Sequence, residues 1–480
     1  DFCNLLVPGC PVSLNFQSPK SLSPNPFDQA VYRLLGQLTR LPVVGLGQIQ
    51  RLSEEVPALD PLDFLWWNAP TDASNPGYWR NRQGRFSLAA LGVSHEISAN
   101  HQDELPGIFE QLRQQVAGTQ ALYFGGCSYN GRHGDHEWQA FPAALFRLPL
   151  VEFRKTHDSY ELAVNLKADH ENLWYQQRAE ARSCLEDLVF HDPNESPTDL
   201  AEPKNTNPVL ARQDSLTLRE WRQWISFTLN AIRRGEFQKA VLARSVDLTL
   251  GKRLDIGAAL GRWQNLNPNS FCFALGQGEK TFMGCSPERL FVRKHQQLKT
   301  ESLAGTMRRG RTKEEDFFFE QILKQDPKLK REHQLVSDYL TQTLAPLTQD
   351  LHSIGSDTVF KLAKVQHRYL PFQAQLKPEA GDYQILSALH PTPAICGFPK
   401  KVAADFIEQM ERTNRGWYSG LVGVVSEQFS EFAVAIRSAL VTKQSVKCYS
   451  GVGIVEGSDA DSEWQEMEDK ICALLAVLSG

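Results

Sequence analysis

The chain reads as a mixed protein in which short strands and amphipathic helices alternate, and three observations predict this. From about Asp63 to Phe153 the texture is strand-rich, with brief apolar runs closed by turn residues. Gly420 to Val425, Glu431 to Leu440 and Val446 to Ser450 follow as consecutive strands, the pattern of an antiparallel meander. Apolar residues at helical spacing recur between such runs and close the chain from Ser462 to Leu478.

Taken in order, residues 1–60 read as an unassigned N-terminal extension, with a Pro/Ser-rich segment from Pro19 to Pro26 and one helical stretch, Gln29 to Thr39. Phe64-Leu65-Trp66-Trp67, Phe86 to Leu91 and Ala121 to Phe124 are the apolar runs of the strand-rich part; Gly125-Gly126 and Asn130-Gly131 mark turns. Phe141 to Phe153 reads as a strand pair, and His170 to Leu188 as a helix. Residues 191–213 are polar and carry Pro193, Pro197, Pro203 and Pro208, which predicts an exposed loop. Thr217-Leu218-Arg219-Glu220 is a capping box, because the Thr hydroxyl can accept from the third helical N–H while Glu220 reaches back. Trp221, Trp224, Ile225, Leu229 and Ile232 continue that helix, and Gly235 ends it beside Arg233 and Arg234. Lys239 to Leu250, Phe271 to Leu275 and the start of Thr281 to Val292 are strands, and Lys313 to Leu344 is helical with a break near Pro327.

The 480 residues suggest about three domains by length alone. The formal charge of −5, from 51 basic and 56 acidic residues, argues against a protein built to coat nucleic acid. No apolar run of about 18 residues predicts a membrane helix. The opening Asp1-Phe2-Cys3-Asn4-Leu5-Leu6 has neither a basic region nor a long apolar stretch, so no signal peptide is expected there, and the missing Met suggests a processed chain. Nine cysteines, irregularly spaced and without C-x-x-C, argue against a disulfide framework or a zinc site and for reduced thiols in a cytoplasmic type of compartment, or an organellar stroma for a processed form.

Two stretches concentrate chemistry. In Tyr449 to Asp459 the pair Gly451 and Gly453 lets a ligand approach a strand closely, and Ser458 or Asp459 can cap the next helix. Glu463, Glu466 and Lys470 then share one face of that helix, which by itself also describes a solvated charged surface. Upstream, Gly284 to Leu290 ends a strand with Glu288 on a turn, and Gly305-Thr306 could offer N–H groups and a hydroxyl to an anion. Arg308 to Arg311 is more readily a solvated surface, since Lys313-Glu314-Glu315-Asp316 offsets its charge.

Together, Lys239 to Arg244, Ser286-Pro287-Glu288-Arg289-Leu290, Thr300 to Thr306, Arg331-Glu332-His333, Val365-Gln366-His367, Leu389-His390-Pro391-Thr392-Pro393-Ala394, Arg415 to Gly420, Glu431 to Ala439 and the block from Gly451 to Lys470 resemble the chorismate-utilising enzymes, with isochorismate synthases the best match. The strong resemblance runs from about residue 218 to the end, in the expected order, and a weaker one covers about 120–153. It implies an α+β fold: large antiparallel sheets in a two-layer core, helices outside, like anthranilate synthase component I. It also implies one domain over residues 61–480, divided into a sheet portion (61–190), the exposed loop (191–213) and a catalytic portion (214–480).

The implied reaction converts chorismate to isochorismate. Water enters at C2 and the C4 hydroxyl leaves, assisted by Mg²⁺. By resemblance Lys239 is the general base, which requires a neutral amine, and Glu288 is the general acid, which requires a raised pKa. Glu332 and Glu466 match the Mg²⁺ ligands, with Glu463 behind them acting through water. Arg437 and Tyr418 would meet the enolpyruvyl carboxylate, with Gly451 and Gly453 leaving room, and Gly305 and Thr306 the ring carboxylate. His390 is expected near the ring or in a structural hydrogen bond.

Ala304 stands where aminodeoxychorismate synthases often carry a nucleophilic lysine, and Lys239 is present where ammonia-using relatives lack it. Water is therefore the expected nucleophile, and no glutamine amidotransferase subunit is expected. Salicylate synthases, which add pyruvate elimination, are the alternative. Asn414 and Ser450 depart from the family's usual residues, neither at a position with an assigned role. The downstream use of the product, whether menaquinone, siderophore or salicylate, and the oligomeric state stay open.

Overall fold

Every strand pairing among the described residues is antiparallel, and the pairings sort the strands into two layers. The computed structural model describes residues 25–43, 45–68, 75–131, 136–188, 207–362 and 364–478. In the first layer the spatial order is Phe86–Ala99, Gly77–Arg80, Phe271–Gln277, Lys280–Ser286, Ser438–Thr442, Ser445–Val455 and Lys239–Leu250. In the second it is Tyr123–Cys127, Leu421–Val425, Phe429–Val434, Arg289–Lys294, Gln297–Arg308 and Val365–Leu376. The strand Ala144–Thr156 pairs with Phe86–Ala99 and with Tyr123–Cys127, and so joins the layers.

Between the layers lies an aromatic core that includes Trp79, Phe124, Trp138, Phe282, Trp417 and Tyr449. Trp79 with Phe124, Trp138 with Phe282 and Phe282 with Trp417 meet tilted or edge to face, as their quadrupoles favour. The buried indole of Trp138 donates to the Tyr449 hydroxyl at 3.0 Å, so its polar atom is not stranded. The outer face of the first layer is covered by helices Pro26–Arg40, Pro61–Asn68, Glu171–Glu186, Ile256–Leu266 and Ala460–Leu478. Leu105–Val116, Pro327–Leu344 and Asp382–Leu389 cover the second. Each large side chain buried this way stabilises the fold by roughly 1.5–3 kcal/mol. This is the α+β, two-layer architecture that the resemblance implied.

The structure corrects the sequence reading in several places. The described residues 26–43 and 45–55 are not a separate extension: Phe27 and Leu34 are buried in the first layer's outer core, and Ile49–Glu55 pairs with Ser159–Lys167. Phe64 to Trp67 lies in a helix, started by Pro61 and by Asp60, whose carboxylate accepts from the Leu62 N–H at 2.8 Å. A four-residue apolar run has no period that separates helix from strand. Phe141 to Phe153 is not a strand pair but largely the single long strand Ala144–Thr156. Most of the 191–213 loop lies outside the described residues, but its end forms the edge strand Val209–Asp214 against Lys239–Leu250. The most consequential difference is at Glu431 to Leu440. It is two strands, Phe429–Val434 in one layer and Ser438–Thr442 in the other, and the chain crosses between layers at Arg437, whose φ is +51°.

Candidate active site

The Lys239–Leu250 strand begins under the helix Pro327–Leu344, and Lys239 is only 1% exposed. Its Nζ donates to Glu332 Oε1 at 2.9 Å. The neighbouring strand places Gly453 opposite Val241. A Cβ on Gly453 would lie 2.6 Å from Lys239 Cε and in ordinary contact, 3.5 Å, with Glu332 Oε1, so a side chain there would displace the lysine. At Gly451 a Cβ would lie 2.9 Å from the Tyr418 hydroxyl. Tyr418 stacks on Tyr449, with ring centroids 5.0 Å apart and planes 12° apart.

These residues line a cavity of about 180 Å³ with Glu288, Gly305, Thr306, Arg437 and Glu466. Glu288 sits on the turn between Lys280–Ser286 and Arg289–Lys294 and is 8% exposed. Burial pushes its carboxyl up to about 8; the Glu301 carboxylate adds to the shift and Lys239 opposes it. Arg289, its sequence neighbour, turns away to pair with Glu431 at 2.8 Å. Gly305, at φ +73°, shifts the register of its strand between Ala304 and Thr306, a bulge that re-aims the chain beside the cavity.

The helix Ala460–Leu478 turns its charged stripe inward. Glu466 pairs with Lys470 at 2.8 Å, Lys470 also donates to the Gly451 carbonyl at 2.9 Å, and the buried Glu463 pairs with Lys328 at 3.2 Å. Burial opposes the charge of Glu466, yet Lys470 and Arg437 hold its carboxyl below the usual range. Burial raises Glu463, with Lys328 opposing. Glu332 and Glu466, both at the cavity wall, are hard oxygen donors of the kind a divalent cation takes one or two at a time, alongside substrate and water. Among the described residues no three His, Cys, Asp or Glu side chains converge on a closed metal cage.

Arg437 lines the cavity beside Tyr418, its carbonyl tied to the Cys285 N–H at 3.0 Å. Among the described residues no hydrogen bond or ion pair satisfies its guanidinium, which leaves its planar fork for a ligand carboxylate. His390 is placed elsewhere. It lines a separate, smaller cavity, and its Nε2 contacts the Tyr129 carbonyl at 3.3 Å, the structural hydrogen bond of the two expected roles.

Two cavity residues carried no assigned role in the sequence. His367 is buried, its Nδ1 lies 3.1 Å from the Thr306 hydroxyl, and its Nε2 has no partner among the described residues. Burial, then Arg437 and Lys470, push its pKa down to about 3, so the ring is neutral. Lys470 was visible only as one charge of a helical stripe. For His367 the available signal was its place in the Val365-Gln366-His367 block.

Known proteins resemble the chain over nearly its whole length. It is 30% identical to the isochorismate synthase MenF of Escherichia coli, covering 90% of this chain and 97% of that one. It is also 30% identical to the salicylate biosynthesis isochorismate synthase of Pseudomonas aeruginosa, covering 95% and 96%. The solved structure of E. coli MenF, described as the menaquinone-specific isochorismate synthase, superposes with a TM-score of 0.81 at 29% identity, covering 94% and 99%. The family model for chorismate binding enzymes matches residues 43–479, and the chain belongs to that family.

Proposed function

We propose that this chain is an isochorismate synthase that converts chorismate to isochorismate with Mg²⁺. The observation that carries the reading is that the buried amine of Lys239 and the raised carboxyl of Glu288 line one cavity with Arg437. The isochorismate synthases among its relatives support the same reading.

Lys239 takes a proton from water as its oxygen bonds to C2. Both conjugated ring double bonds shift, from C1=C2 and C5=C6 to C1=C6 and C4=C5, and the C4–O bond breaks as Glu288 gives its proton to the departing hydroxyl. One water enters and one leaves, so the net change is an isomerisation. A carboxyl raised to about 8 still holds the proton it must deliver near neutral pH, which an ordinary glutamate does not. A lysine accepts a proton only as the free amine, so the contact with Glu332 must loosen before Lys239 acts. Glu332 and Glu466 would hold Mg²⁺, which when bound supplies positive charge against a substrate carboxylate. Arg437 and Tyr418 bind the enolpyruvyl carboxylate, while Thr306, held by the neutral His367, faces the ring carboxylate. No glutamine amidotransferase takes part, because water is the nucleophile. The test is chorismate consumption by the purified chain with Mg²⁺: turnover is expected, and a folded protein that leaves chorismate untouched contradicts the reading.

A further inference from the structure

Arg82 stands far from Glu288 in sequence, on the turn between Gly77–Arg80 and Phe86–Ala99, and it does not line the cavity. Its side chain is 6% exposed and that of Glu301 is 0% exposed. The guanidinium grips the Glu301 carboxylate with both terminal nitrogens, Nη2 reaching Oε2 at 2.7 Å. Its Nη1 also donates to the Pro287 carbonyl at 3.1 Å. Glu301 in turn accepts from the Arg289 N–H at 3.3 Å. The pair thus holds the residue before Glu288 and the residue after it. The Phe360 ring lies 4.9 Å from the guanidinium carbon and fixes the fork from one side. Glu288's own carbonyl accepts from the Val434 N–H at 3.0 Å, so the turn has little freedom left.

Burying a charged pair costs desolvation that its mutual attraction only partly offsets, and an apolar pair is often as stable. The pair is better explained by what it holds. We propose that Arg82 and Glu301 are positioning residues that fix the Glu288 turn, so that its carboxyl is aimed at the leaving hydroxyl. This rests on the reading of Glu288 as the general acid. The acid-bearing turn is then completed by a residue from the N-terminal part of the chain, outside the block that most resembles the family.

The test uses the full chain with Arg82→Gln, Glu301→Gln, Glu288→Gln and Arg82→Gln/Glu288→Gln, each checked for folding by circular dichroism, with Arg82→Lys as a milder variant should Arg82→Gln fail to fold. Displacement of a catalytic group by about 1 Å can cost on the order of 10²-fold. The expected result is a kcat loss of that order in Arg82→Gln and Glu301→Gln, with KM within about twofold. Arg82→Lys should recover part of it, and Arg82→Gln should add nothing in the Glu288→Gln background. The facing charges on Glu288 are Glu301, from its strand, and Lys239, from its own. Removing the Glu301 charge should therefore also move the alkaline fall of activity to lower pH. The proposal is overturned if the folded Arg82 and Glu301 variants keep wild-type kcat, or if the loss persists undiminished in the Glu288→Gln background. If Glu288→Gln alone turns over normally, it is the acid assignment that fails, and the two failures are distinct.

Discussion

Lys239 and Glu332 meet at 2.9 Å at the edge of the cavity, the lysine 1% exposed and held from behind by a strand whose glycines leave it room. In the proposed mechanism the carboxylate that would hold a cation thus rests on the amine that would act as base, and the observed pair would have to part for either role. Lys239→Ala should lower kcat by about 10²–10⁴-fold, the usual worth of a general base, with the fold kept. Steady-state kinetics alongside circular dichroism checks this, and an unchanged kcat would remove Lys239 from the mechanism.

As the proposed general acid, Glu288 should set the pH dependence. With its carboxyl near 8, the acid form is present below that value and is lost as pH rises through it. Activity should fall on the alkaline side near pH 8, and Glu288→Gln should lower kcat by about 10²–10⁴-fold, leaving a measurable residue.

The same shift has a consequence for stability. A carboxyl raised on folding adds stability that is fully present below its unfolded value of about 4.5 and lost as pH rises through about 8. Glu288→Gln should therefore melt above the wild type at pH 8–9, with the gap closing towards pH 5. Melting curves across that range check the sign, and a gap that widens towards acid would contradict it.

Gly453→Ala probes the close approach. The added methyl would sit 2.6 Å from Lys239 Cε, the far end of a flexible side chain, so the lysine moves rather than the strand. The expected outcome is a kcat loss on the order of 10²-fold with a melting temperature lowered by only a few degrees. A large stability loss with normal kcat in the folded fraction would show that the strand yields instead.

Much of this was legible in the sequence for definite physical reasons. The capping box at Thr217 and Glu220 is observed as expected, because it is local chemistry. So is the break at Pro327, where Asp326 caps the second helix. The cavity brings together Lys239, Glu288, Glu332, Arg437 and Glu466, which resemblance alone had grouped. What stayed hidden depends on partners distant in the chain. The crossing at Arg437 cannot be read from Glu431 to Leu440, which is apolar enough to be one strand. The grip of Arg82 on Glu301 spans 219 positions. The docking of the Pro26–Arg40 helix, whose Phe27 and Leu34 are buried, depends on an outer core built by residues far along the chain, such as Trp174 and Leu185.

Chelation isolates the cation. Excess EDTA should abolish turnover while circular dichroism and melting temperature stay within error, since the described carboxylates already have lysine partners without a metal. Added Mg²⁺ should restore activity, and full turnover in excess chelator would contradict the role given to Glu332 and Glu466.

The most direct measurement is identification of the product formed from chorismate with Mg²⁺, by chromatography with a parallel pyruvate assay. Isochorismate, in equilibrium with chorismate, is expected without pyruvate; salicylate with stoichiometric pyruvate would show a salicylate synthase instead.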